Sequence, residues 1–321
     1  MTCSASQLFA PLLHRGFYAG LLLSVFGTVG ASEQNPDADD GVLEKTRETA
    51  YDTSYWLVEH VDQWFGDRPF DEGGRVEGYV GFRALWREKQ SSDFTLQGSL
   101  NVRMPNLDEK AYLFFGRADT DELLEDQQDT FRRDGLLLPE DEDEQTFFAG
   151  LGYFLLDNLD LRLGVRGGYK PYAQARYRTH FDWTDSTRLY FRETIFAGVD
   201  RGVGATTALN LDHGLTDRWL LRWQNSATIG TKKSGLGWSS SAGAWYLQDW
   251  NKRAWLDLVV RGETGDDVSV SEYGVRANYR HPIARDWLVG EVMVGHFWPR
   301  DELEEPRLSS WAVAWQTRLY F

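Results

Sequence analysis

From Arg75 onward, apolar and polar residues alternate with a period of two, and the alternation continues to Phe321. Successive side chains of a strand point to opposite faces, so each run has one apolar and one polar face. Turn-forming residues divide the runs and predict strands at 75–87, 93–104, 111–118, 145–156, 159–170, 174–183, 187–200, 203–211, 218–230, 237–248, 253–263, 268–280, 286–297 and 308–321. That is 14 strands, or twelve if two weak hairpins merge. The last run is the clearest. Trp311, Val313, Trp315, Thr317, Leu319 and Phe321 share one face, and Ala312, Ala314, Gln316, Arg318 and Tyr320 share the other. Upstream the period changes. Leu43, Tyr51, Tyr55, Val58, Val61 and Phe65 recur mostly at three- and four-residue spacings, which predicts a helix over 42–65 ended by Gly66. Residues 32–40 read as a flexible acidic leader.

The connections suggest which strand ends lie on the same side. Asp157-Asn158 and the stretches 212–217, 249–252 and 281–285 are short, whereas 119–144 and the acidic 299–307 are long loops at the other end. Short turns on one side, longer loops on the other and an even strand count predict an all-β, antiparallel transmembrane barrel over 75–321. A short N-terminal periplasmic helix would fall within 32–74. A final strand that alternates and ends on Phe321 resembles the assembly signal of bacterial outer-membrane β-barrel proteins. Thr317 departs mildly from it, since a more apolar residue is common there. The resemblance implies a Gram-negative outer-membrane location, surrounding lipid and lipopolysaccharide, and recognition of the last strand by the assembly machinery.

Composition fits this reading. Mean hydropathy is −0.48, yet aromatics make up 14% of the chain, as expected where half of every strand faces water and aromatics ring both interfaces. Residues 1–31 read as a secretory signal peptide, with His14 and Arg15 before an apolar stretch and small residues at Val29-Gly30-Ala31. Cys3 falls within it, which leaves the mature chain without disulfide or thiolate chemistry. Removal of that segment leaves 33 basic against 49 acidic residues, a balance that argues against nucleic acid as a partner.

The polar face carries the candidate chemistry. With the apolar parity outward, Arg83, Arg87, Arg103, Arg162, Arg166, Lys170, Arg176, Arg178, Arg188, Arg192, Arg222, Arg261, Arg276, Arg280 and Arg318 point inward. Against these 15 cations stand seven inward carboxylates, Glu77, Asp182, Asp200, Asp257, Glu263, Glu272 and Glu291. Two readings follow. In one, the arginines are wall, paired with carboxylates and hydroxyls. Alternatively their surplus forms a ladder that draws anions through the lumen, as basic rings do in anion pores. The densest stretch, 162–192, is the expected constriction. Such a wall resembles small porins for acidic sugars in a general way. The leading expectation is thus passive diffusion of small anionic solutes or acidic sugars, with Arg83, Arg103, Arg162, Arg166, Arg176, Arg178, Arg188, Arg192, Arg222, Arg276, Arg280 and Arg318 lining the pore. The alternative is a non-conducting structural or docking barrel whose helix binds a periplasmic partner.

Loop 119–144 holds 12 acidic residues and only Arg132 and Arg133 as bases. It is read as a solvated outer loop rather than a divalent-cation site at Asp141-Glu142-Asp143-Glu144, although Leu136, Leu137 and Leu138 give it the means to fold back over the mouth. An enzyme is not expected. His296 and Ser309 share the outward rim where a lipid hydrolase would place base and nucleophile, but no third group orients the histidine. His180 and His213 stand alone, and no metal or cofactor site is expected.

Overall fold

The computed structural model describes residues 36–62, 70, 73–90, 92–104, 106, 108, 110–139, 145–249 and 251–321. The proposed signal peptide and the 140–144 acidic run lie outside these residues, as does the proposed end of the helix at Phe65-Gly66.

Fourteen antiparallel strands close into one barrel, each paired with its sequence neighbours and the first with the last. They are β1 (Arg75–Arg87), β2 (Asp93–Arg103), β3 (Ala111–Asp119), β4 (Gln145–Leu156), β5 (Leu159–Arg166), β6 (Lys170–Thr184), β7 (Thr187–Gly198), β8 (Gly202–Gly214), β9 (Trp219–Gly230), β10 (Gly237–Leu247), β11 (Arg253–Glu263), β12 (Glu272–Pro282), β13 (Leu288–Pro299) and β14 (Ser310–Tyr320). Closure runs from Tyr79↔Tyr320 to Arg87↔Ala312, and Gly78 and Phe321 exchange backbone hydrogen bonds at 2.9 and 3.0 Å. A closed barrel leaves no unpaired edge, which is what permits strands to cross a bilayer.

The observed strands differ from the sequence reading chiefly at their ends. β5 stops at Arg166 and β6 starts at Lys170 because Gly168 and Tyr169 adopt positive φ, +69° and +60°, in the hairpin between them. β8 and β12 run on to Gly214 and Pro282, which shortens the turns after them.

The helix is also longer than expected. Helix α1 spans Pro36–Asp62, so the leader is helical from Pro36 instead of flexible. Proline suits a first helical position, where no N–H is required. Glu44 and Arg47 pair at 3.1 Å on the next turn.

The outer surface fixes the barrel's setting. On β14, Trp311, Val313 and Trp315 are exposed while Ala312 and Ala314 are buried. Phe82, Trp86, Phe94, Leu163, Ile195, Trp219, Leu221, Trp223, Leu256 and Leu258 continue the exposed apolar surface around the wall. An apolar band of this extent is not tolerated in water, and on a closed antiparallel barrel it is the lipid-facing belt of a bacterial outer-membrane protein. The chain is therefore an outer-membrane β-barrel.

Candidate functional site: the lumen and its inward loop

The barrel's interior is built around a segment that the strand pattern does not include. Between β3 and β4 the chain forms a short helix α2 (Thr120–Leu124) and a 3₁₀ turn at Asp129–Phe131. This loop packs against the inner wall, which corrects the expectation of a solvated outer loop. Phe131, Leu136 and Leu137 enter a buried apolar cluster with Leu85, Val259, Met293, Phe297, Ala312 and Ala314. Leu124 enters a second with Tyr112, Phe114, Tyr172 and Phe196. Two inward glycines make the room. A Cβ at Gly295 would lie 2.9 Å from Leu137, and one at Gly198 would lie 2.9 Å from Leu124. Burying each large apolar side chain contributes roughly 1.5–3 kcal/mol, so the leucines outweigh the preference of an acidic loop for water.

The loop's carboxylates meet the arginine wall. Asp126 pairs with Arg176 at 3.0 Å and Arg192 at 3.3 Å. It also accepts a hydrogen bond from Thr194 Oγ1 at 2.9 Å. Asp134 pairs with the fully buried Arg83 at 3.3 Å, and Glu125 with Lys233 at 2.7 Å. Arg87 donates to the Leu137 carbonyl at 3.1 Å and Arg276 to that of Thr130 at 2.8 Å. Asp126 and Leu137 both hold left-handed backbone, φ +52° and +54°, a cost of about 1–3 kcal/mol each that these contacts offset.

The picture of a lumen with surplus positive charge along its whole length needs correction. Asp126 and Asp134 come from the loop, and Asp160 and Asp212 from the wall. Asp160 takes Arg162 at 3.1 Å, Arg176 at 3.0 Å and Arg178 at 3.6 Å. Asp212 takes Arg222 two-pronged, at 2.7 and 2.6 Å. Arg166 pairs with Asp200, Arg87 with Glu272 and Arg188 with Asp182. Arg276 is held by Asp257 at 2.9 and 2.6 Å. In the loop-bearing half, carboxylates neutralise most arginines and the ladder is largely wall. Buried charge requires such partners.

Within the loop, burial pushes the Glu122 carboxyl up to about 8, against the opposing influence of the Arg133 N–H that it accepts and of Arg132.

Beside the loop lies a cavity of about 480 Å³. Its lining runs from Asp119 and Gln145, at the loop end of the wall, to Arg253 and Arg318, at the end where β1 begins. Arg176, Arg192, Arg222, Arg276, Arg280 and Arg318 of the expected pore residues line it; Arg83, Arg103, Arg162, Arg166, Arg178 and Arg188 do not. Arg83, Arg162 and Arg166 are taken up in the pairs above. Arg103 is exposed at the end of β2, and Arg188 lines a separate cleft at the β6–β8 rim.

In the deep half of the cavity, arginines are held by ring faces as well as by carboxylates. Arg222 lies over the Trp245 ring at 4.7 Å and Arg253 over Trp255 at 5.6 Å. The two indoles stack on each other, 4.4 Å apart and 1° from parallel. Arg280 lies over Tyr320 at 5.8 Å and Arg318 over Tyr79 at 5.3 Å. An aromatic face steadies a guanidinium without cancelling its charge. Among the described residues Arg253 and Arg318 have no ion pair. Arg253, Trp245 and Trp255 were absent from the sequence-based set, although all three share the inward parity of Asp257.

At the outer rim, the His296 ring packs on Trp298 and Trp311, at 4.5 and 4.3 Å. Among the described residues no cluster of His, Cys, Asp and Glu is placed to hold a metal ion.

No protein-family model matches the chain and no curated protein matches it. Solved outer-membrane proteins are similar in structure. A loop-deletion mutant of OmpT from Vibrio cholerae is 9% identical with a TM-score of 0.44, covering 78% of this chain and 100% of that one. The outer-membrane channel DcaP of Acinetobacter baumannii is 11% identical with a TM-score of 0.44, covering 77% and 97%. OprD of Pseudomonas aeruginosa is 10% identical with a TM-score of 0.41, covering 77% and 95%. At these identities and scores the likeness assigns no function.

Proposed function

We propose that the barrel is an outer-membrane channel for passive diffusion of small anionic solutes, acidic sugars among them. The observation that carries this reading is the cavity past the inward loop, whose deep half presents guanidiniums steadied by rings. The mechanism separates the two halves of the lumen. In the loop-bearing half, arginine–carboxylate pairs hold the loop against the wall and narrow the bore. In the deep half, the charge of Arg253 and Arg318, which have no ion pair among the described residues, lowers the energy of an anion inside a low-dielectric wall. Conduction requires contacts strong enough to admit a solute and weak enough to release it, and half-buried arginines held by ring faces, Arg253 and Arg318, suit this better than buried pairs. Single-channel recording of the folded protein tests the proposal. Open steps with chloride preference support it. A folded barrel that never conducts favours the docking reading, in which α1 binds a periplasmic partner.

A further inference from the structure

The register between β11 and β12 sets two arginines directly against each other. Arg253 pairs with Arg280, and two residues further along Trp255 pairs with Asn278. All four line the same cavity, so they form the corners of one inward patch. Its short side is about 5 Å, the cross-strand spacing, and its long side about 7 Å, two residues along a strand.

Like charges directly opposite each other destabilise a sheet, and nearby acid compensates only one of them. Glu291 faces Arg280 in the next register pair and reaches it at 3.9 Å, while Arg280 also donates to the Tyr320 hydroxyl at 2.7 Å. Among the described residues, Arg253 is held only by the face of Trp255, and its Nε has no acceptor. The Nδ2 of Asn278, on a side chain 5% exposed, has none either. Two unmet donors, one of them charged, thus border a cavity on a patch with one carboxylate for two guanidiniums. Buried donors seldom stay unmet.

We propose that the Arg253–Arg280–Asn278 patch is a binding site for the oxyanion group, carboxylate or phosphate, of a solute in the channel. Two oxygens of either group would take the Arg253 fork two-pronged, accept from Asn278 and relieve the Arg253–Arg280 repulsion. The Trp245–Trp255 stack fixes the Arg253 plane in advance and so reduces the ordering cost of binding. The proposal deepens the anion-channel reading and rests on it for its physiological sense, but binding can be measured without conduction.

Isothermal titration of the folded full-length protein in detergent with sodium acetate, sodium gluconate, sodium phosphate and glucose tests it. Expected is saturable binding of at least one oxyanion and none of glucose. Arg253→Gln should weaken that binding at least tenfold, and Asn278→Leu severalfold. Arg300→Gln, in the 300–309 loop, should leave it unchanged. Acetate binding as tightly as gluconate identifies a simple carboxylate site, and tighter phosphate binding identifies a phosphate site; each supports the proposal. No saturable oxyanion binding by the wild type, or equal binding by folded Arg253→Gln, overturns it. Oxyanion binding by a protein that never conducts would uphold the site and refute the channel.

Discussion

Replacing Asp126 by Asn should detach one arm of the inward loop while leaving the other in place. The substitution keeps the side chain's size and removes the charge shared by Arg176 and Arg192. Breaking a buried pair by neutralising one partner costs about 3–5 kcal/mol. The Arg192 side chain is 23% exposed, which places the effect near the lower figure, about 3 kcal/mol. At 1.4 kcal/mol per tenfold, the detached fraction of the 120–128 arm rises about a hundredfold. The second arm is held independently. Phe131, Leu136 and Leu137 together contribute roughly 5–9 kcal/mol of burial, and Arg87 and Arg276 hold its carbonyls. The expected single-channel record therefore shows a modestly larger conductance with frequent flicker, not a fully widened bore. Deleting 120–139 should give a larger, quiet conductance. Heat-modifiable migration checks that each variant folds. An Asp126→Asn channel as quiet as wild type, in a folded barrel, would refute the idea that this pair positions the arm.

Other outcomes follow from the same geometry. Glu122 should make loop docking pH-dependent. Its folded pKa is raised to about 8 from 4.5, so the docking it supports is present at low pH and lost as pH climbs through about 8. Flicker should therefore increase as pH rises from about 4.5 to about 8 and level off above it, and Glu122→Gln should abolish the trend. Gly295→Val should lower the temperature of the heat-modifiable shift and raise conductance, because the added side chain collides with the Phe297 ring and Leu137 that pack there. Arg276→Ala leaves Asp257 buried without its partner, and the expected loss is about 3–5 kcal/mol, read in urea titration of the folded fraction. Val313→Arg, on the outer face, should cost up to about 2–4 kcal/mol in lipid and reduce folding yield into vesicles.

Much of the architecture was legible because alternation is a local property. A strand with Trp311, Val313 and Trp315 on one face and Ala312 and Ala314 on the other needs no knowledge of its neighbours, and the apolar band follows from it. The lumen was less legible because charge compensation is non-local. Asp126 and Asp134 lie in a loop that strand periodicity ignores, and only the fold brings them to Arg176, Arg192 and Arg83. Some signals were present. Leu123, Leu124, Leu136, Leu137 and Leu138 are too apolar for a solvated acidic loop, and Gly198 and Gly295 are inward positions with no side chain. Arg253 begins its strand with the inward parity of Asp257 and Arg261, and parity alone would have placed it in the bore. That the ring steadying it, Trp255, is itself stacked on Trp245 was readable only from the register that places β10 beside β11.

The reversal potential of single channels under a potassium chloride gradient, compared between wild type and an Arg253→Gln, Arg318→Gln double variant, tests the central claim most directly. A wild-type potential displaced toward chloride, and a displacement lost in the folded double variant, is the expected result. Cation preference in the wild type, or chloride preference undiminished in the variant, would contradict the account.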